Sequence, residues 1–195
     1  MSKRVVLVVL ALLMVVPASI FAVDLIGLRV GPTAMMNTTL DFDSPNWGID
    51  VDGIGLESFT YGADIRMNLS VIEVNALALV TALEDDYSAV ALDVYANAGL
   101  SMSLFDILRL GASAGPKFTV NLGDENVIDG LDEDPMNWGL NLRLTADIEL
   151  GDLSIGASAI MDTNVSLENI GDFEAATLFE NPTGLFGVSA MFAIF

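Results

Sequence analysis

Between residues 90 and 122 apolar and small polar side chains alternate with a period of two, in two long runs with one short break. In the first run the even positions from Val90 to Leu104 are all apolar, while the odd positions include Asp93, Tyr95, Asn97, Gly99, Ser101 and Ser103. After Phe105-Asp106-Ile107 the alternation resumes, with Leu108, Leu110, Ala112, Ala114, Phe118, Val120 and Leu122 on one face. Arg109, Gly111, Ser113, Lys117, Thr119 and Asn121 lie on the other. Successive side chains of a strand point to opposite faces, so the pattern predicts two antiparallel strands joined as a hairpin. Strands of soluble proteins usually stop at about five or six residues, whereas a tilted strand needs roughly nine to eleven to cross a bilayer. The polar face also carries Gly, Ser and Asn where a soluble sheet would show Lys and Glu. Small polar residues suit a crowded barrel lumen whose other face meets lipid.

The rest of the mature chain repeats the pattern. Residues 1–22 have a basic start (Lys3, Arg4), an apolar run from Val5 to Val16 and a small-residue exit at Ala22, which predicts a cleaved secretory signal. Pro17 and Ser19 cut the apolar run short of the ~20 residues a helical span needs. Residues 23–195 are then expected to form one domain with strands near 25–37, 57–70, 72–83, 90–104, 108–122, 137–150 and 153–162, and a last strand that follows a loop over about 163–183 and ends at Phe195. Connections after the second, fourth and sixth strands are minimal, as at Gly151-Asp152. Those after the first, third, fifth and seventh are longer and rich in Asp and Glu. The predicted fold is therefore all-β: an eight-stranded antiparallel up-and-down transmembrane barrel with short periplasmic turns and longer acidic outer loops. Trp47 and Trp138 fall near strand ends, as an interfacial aromatic girdle requires. Pro32 and Pro116 fall inside strands of a sheet without edges, which predicts a bulge or bend at each.

Charge is distributed with the same parity. The formal net charge is -20 although 53% of the residues are hydrophobic and the mean hydropathy is positive, so acid and grease must occupy different places. Beyond the leader the basic residues are Arg29, Arg66, Arg109, Lys117 and Arg143, and all fall on the inward face. That face also carries Asp64, Glu73, Asp93, Asp147 and Glu149. Ten charges in a narrow interior are costly unless paired, so an ion-pair network filling the lumen is expected. Folding the hairpin about residue 106 brings Asp93 diagonally near Lys117, and Arg143 has Asp147 further down its own face. Leu77, Leu79, Leu83, Ile160 and Met191 are apolar residues at inward positions.

Composition excludes several classes. There is no Cys and hence neither a disulfide framework nor a lipidated N-terminal Cys, and no His, which removes the commonest general base and metal ligand. No catalytic constellation, cofactor or defined metal site is expected. A nucleic-acid partner is excluded by the strong negative charge and the lack of a basic patch. The stretch from Asp124 to Gly130 looks like a calcium loop, but its glycine is one place late for the EF-hand pattern. Weak divalent-cation binding among loop carboxylates is the expectation there, against the commoner reading of a solvated acidic surface.

In its signal peptide, eight alternating strands, alternating connection lengths and terminal Phe195, the mature chain resembles the small eight-stranded outer-membrane barrels of diderm bacteria. These are the OmpX-like and OmpA-transmembrane-domain-like group, with OmpW-like proteins nearby. The resemblance implies insertion into outer-membrane lipid as a monomer, with the C-terminal aromatic read by the barrel-assembly machinery. Phe195, Ala193 and Met191 match that assembly signal in position. Phe186, Val188, Phe192 and Ile194 form an apolar set in the opposite register, so two orientations of the last strand stay open. Three function classes also stay open: a structural or surface-interaction barrel, which is preferred; a carrier of small hydrophobic molecules, suggested by the apolar inward residues Leu77, Leu79, Leu83, Ile160 and Met191; and a narrow channel.

Overall fold

A computed structural model describes residues 26–39, 59–82, 89–105, 107–123, 136–163 and 183–194. The leader, the four longer connections, Trp47, Leu83 and Phe195 lie outside the described residues. Eight strands are present: β1 (Gly27–Thr39), β2 (Phe59–Leu69), β3 (Ile72–Ala82), β4 (Ala89–Leu104), β5 (Leu108–Gly123), β6 (Met136–Leu150), β7 (Leu153–Asp162) and β8 (Thr183–Ala193). Each matches a predicted strand to within two residues, the last ending at Ala193. Every neighbouring pair is antiparallel, and β1 pairs with β8 to close the barrel.

The register can be followed around the barrel. Gly27 pairs with Asn68, Asn68 with Glu73, Glu73 with Gly99, Gly99 with Ser113 and Ser113 with Arg143. Arg143 then pairs with Ile160, Ile160 with Leu185, and Leu185 with Asn37 on the starting strand. The circuit returns ten residues from its origin. Such a stagger tilts the strands by about 40° and leaves an interior that side chains can fill.

Parity sorts the side chains as the sequence predicts. Leu100, Leu144, Val188 and Phe192 are among the large apolar residues exposed on the outer surface, whereas Asp64, Arg66, Glu73, Asn75 and Arg143 are buried inside. In β8, Leu185, Ser189 and Met191 are buried while Val188, Phe192 and Ile194 are exposed. Pairing with both β1 and β7 thus selects one of the two registers left open, and Met191, counted with Phe195 in the expected assembly signal, faces the lumen.

The short connections are tight turns. Ser70-Val71 joins β2 to β3 and Gly151-Asp152 joins β6 to β7, with φ of 61° at Ser70 and 71° at Gly151. A positive φ at the first central residue alone is the φ signature of a type II′ turn, whose twist matches that of the strands it joins.

The prolines correct an expectation. The sum of paired residue numbers is the same on both sides of Pro32 in the β1–β8 ladder and of Pro116 in the β4–β5 ladder, so neither strand carries a bulge. Instead the ladder opens locally: Gly31 and Pro32 have no partners on β8, and Gly115 and Pro116 none on β4. Pairing with β2 and with β6 continues through both positions. Proline lacks a donor toward only one neighbour, so a gap in one ladder is sufficient and the register need not slip.

Candidate functional site

The interior brings together charged side chains from seven of the eight strands, β1 to β7, and it is organised in layers. Nearest the tight turns, Arg29 and Arg109 both reach Glu149, at 2.6 and 2.8 Å. Above them lies the central cluster. Arg66 donates to Asp64 at 2.7 Å and to Asp147 at 2.6 Å, while Arg143 forks onto both oxygens of Asp64 at 3.0 and 2.5 Å. Ser158 accepts from both guanidinium groups, and Ser189 donates to Asp64. Asp64 is thus fully enclosed by donors from β2, β6 and β8. Small residues opposite make room for this: a Cβ on Gly156 would collide with the Asp147 carboxylate, its cross-strand neighbour.

A mostly apolar layer follows. Met35, Leu77, Leu79, Tyr95, Ile160 and Leu185 form one buried cluster. Beside it Asn97 and Asn141 exchange two side-chain hydrogen bonds, and Asn141 also donates to the Gly115 carbonyl. Toward the longer connections a second ionic group appears. Lys117 donates to Asp162 at 2.8 Å and lies 3.5 Å from Asp93, with its ammonium 5.4 Å from the centre of the Tyr95 ring. The Tyr95 hydroxyl donates to Asp162, and Thr119 donates to Asp93.

All ten sequence-nominated charges therefore lie inside, but they pair differently in three respects. Arg143 engages Asp64 across the barrel, not Asp147 on its own strand. Residues four apart on a strand are about 13 Å apart, beyond the reach of an arginine in that direction, whereas strand curvature brings β2 opposite β6. Asp147 is taken by Arg66 instead. Second, Asp162 is a sixth inward carboxylate that the sequence reading assigned to no role, although its parity with Ser154, Ser158 and Ile160 on β7 was sufficient to find it. Third, Glu73 makes no ion pair among the described residues and is held by the side-chain amides of Asn68 and Asn75. The diagonal contact of Asp93 with Lys117 follows the register, in which Tyr95 opposes Lys117 and Asp93 opposes Thr119.

On the outer surface, Trp138 and Phe118 are cross-strand neighbours near the loop end, and Met36 lies between Phe59 and Phe186 at the same level. Phe105 and Phe192 mark the turn end. Among the described residues no group of three or more His, Cys, Asp or Glu is placed to hold a metal ion.

No protein-family model matches the chain, and no curated protein matches it either. Among solved structures it is similar to the attachment invasion locus protein Ail of Yersinia pestis, crystallised in complex with the heparin analogue sucrose octasulfate. The TM-score is 0.50 with 12% sequence identity, over 87% of this chain and 97% of that one. At that identity the likeness is one of architecture, and it joins the closed register of β1 to β8 in showing the fold: this chain is an all-β, eight-stranded antiparallel barrel of the kind that Ail adopts.

Proposed function

We propose that this chain is an outer-membrane β-barrel of a diderm bacterium, with a lumen closed by its own side chains and a structural or surface-interaction role carried by its outer loops. The observation that carries this reading is the inversion of the barrel: leucines, isoleucines, valines and phenylalanines cover the outside while arginines, aspartates and asparagines fill the inside. In water, an apolar surface running around the whole barrel would far exceed the ~300–600 Å² patch that a soluble monomer tolerates. In a bilayer it is the expected surface, and the aromatic residues at the two ends take the level of the lipid headgroups. Trp138 belongs to that girdle, and Trp47 is assigned to it by sequence alone. Insertion is assigned to the barrel-assembly machinery through Phe195, and the barrel works as a monomer without a cofactor or catalytic residues.

Ail was crystallised with a sulfated sugar. The long connections of this chain carry Asp41, Asp43, Asp124, Glu125, Asp132, Glu133, Glu168 and Glu174, so a polyanion would be repelled. Cationic partners or loosely held divalent ions fit such loops better. Fractionation with gel migration before and after boiling tests the reading. The signal-processed protein is expected in the outer-membrane fraction and is expected to migrate differently once heated. Its recovery as a soluble periplasmic species would overturn the proposal. The alternative of a carrier for small hydrophobic molecules draws on the apolar cluster around Leu77 and Leu79. Saturable binding of a fluorescent hydrophobic probe that larger side chains at these positions abolish would favour that role.

A further inference from the structure

The apolar outer surface is not equally tall on all sides. β4, β5 and β6 are 16, 16 and 15 residues long, whereas β2, β3, β7 and β8 are 11, 11, 10 and 11. The register decides at which end the extra length stands. Shared among eight strands, the ten-residue stagger moves a level plane by about one and a quarter residues per strand. With that drift removed, Leu69, Leu104, Leu108, Leu150, Leu153 and Ile194 lie within about one and a half residues of one plane, so the turn end is flat. The loop end slopes. Outward apolar residues stop at Phe186 on β8 and Met36 on β1, but continue to Ala82 on β3 and to Leu122 on β5, which lies opposite β1. At about 2.6 Å of axial rise per tilted residue, the apolar height climbs from about 20 Å at β8 and β1 through about 29 Å at β3 to about 35 Å at β5.

The top of the tall wall is built from Val90 and Leu92 on β4 and their cross-strand partners Leu122 and Val120 on β5. Leu122 is 47% exposed, while Ala89, Ala91 and Asn121 alternate with these residues and are buried. We propose that acyl chains cover this wall up to Leu122, so that the hydrocarbon edge stands higher beside β5 than beside β8. The inference rests on the outer-membrane reading above. Every second residue from Leu108 to Leu122 is apolar, so the wall continues the lipid-facing belt without a polar break. A barrel belt is ordinarily about 25 Å tall, and tilting or local thickening of the bilayer meets such a mismatch at modest cost. The connections next to the wall carry Glu84, Asp85, Asp86, Asp124, Glu125 and Asp129 and no basic residue. Such segments are poor cover for apolar side chains, and two copies joined through this wall would bring like charges together.

The chain has no cysteine, so single-cysteine variants can be read one at a time. The test is the rate at which a membrane-impermeant maleimide labels Leu122→Cys and Val188→Cys refolded into dioleoyl or dilauroyl phosphatidylcholine vesicles. Val188, at mid-height on the short side and 57% exposed in the isolated barrel, reports insertion and should stay unlabelled in both. Leu122→Cys is expected to react at least tenfold more slowly in dioleoyl than in dilauroyl vesicles, whose thinner hydrocarbon cannot reach the top of the wall. Equally fast labelling in both, with Val188→Cys protected, would mean that the wall stands in water and overturns the inference alone. Equally slow labelling in both would mean that protein covers the wall, and a bismaleimide-linked dimer of Leu122→Cys would then identify a second copy; either result overturns it. Combining Leu92→Ser, Val120→Ser and Leu122→Ser is expected to shift the urea midpoint in favour of the thinner vesicles, and an unchanged preference also overturns the inference. Labelling of Val188→Cys in both vesicles would instead show that the barrel is not inserted, and would remove the reading on which the inference rests.

Discussion

At the scale of single residues the lumen behaves as a set of mutual obligations. Arg143 satisfies both oxygens of Asp64 and also reaches Asn75 and Ser158. Truncating it leaves a carboxylate in a dry interior with less charge around it, a loss of ~3–5 kcal/mol. Arg143→Ala is therefore expected to unfold at clearly lower urea than Leu144→Ala, because Leu144 is its immediate neighbour on the outward face and 60% exposed in the isolated barrel. Equal midpoints would mean that water already solvates the Arg143 site. Gly156→Ala tests the same network from the other side. Its methyl would collide with the Asp147 carboxylate, drive it from Arg66 and destabilise by about 1–3 kcal/mol, whereas an alanine at outward Ala157 already fits. What the sequence disclosed at this scale was which residues share the interior. It did not disclose the partners, because the choice of Asp64 over Asp147 by Arg143 depends on how a closed, staggered barrel brings β2 across from β6. Asp162 was legible from the alternation on β7, but it stands at the last residue of that strand, where a loop and a strand read alike.

At the scale of the strands almost everything was legible, since a bilayer-facing side and a crowded inner side impose opposite chemistry on alternate residues. The last strand was the exception. Phe186, Val188, Phe192 and Ile194 compete with Leu185, Met191 and Ala193 for the outer face. Only the ladders to β1 and β7 decide between them. The proline strands show the same dependence on context: a missing donor looks like a break until it is known that one ladder can open while the other continues. Turns offer a direct test of element geometry. Ser70 holds φ at 61°, in a region where a non-glycine residue bears strain of about 1 kcal/mol. Ser70→Gly is expected to raise the unfolding midpoint by roughly 0.5–1 kcal/mol, with no change in heat-dependent gel migration, and the same substitution at Ser103, inside β4, to lower it. A destabilised Ser70→Gly would show that the hydroxyl, not the backbone, secures the turn.

For the whole molecule the question is whether eight strands with this stagger leave a path for water and ions. Three barriers stand in series: the Arg29–Glu149–Arg109 group with the central cluster, the apolar layer of Met35, Leu77, Leu79, Ile160 and Leu185, and the Lys117 group near the outer end. They differ in kind. A guanidinium–carboxylate cluster blocks by filling space and could let water through if one member were removed. The apolar layer excludes ions because nothing in it replaces their hydration, and a charge in such surroundings costs several kcal/mol. Resistances in series are governed by the largest, so opening the ionic cluster alone should not create a conducting pore. The unmutated protein in a planar bilayer is therefore expected to show no steady single-channel current, and Arg143→Ala to lose stability while remaining silent. Combining Arg143→Ala with Leu77→Ser and Leu79→Ser wets the apolar layer as well, and a small leak should appear only in that triple variant. Steady conductance in the unmutated protein would reveal a continuous aqueous path and remove the basis for a closed lumen. Current from Arg143→Ala alone would show that the apolar layer is no barrier and that the central ion pairs by themselves hold the barrel shut.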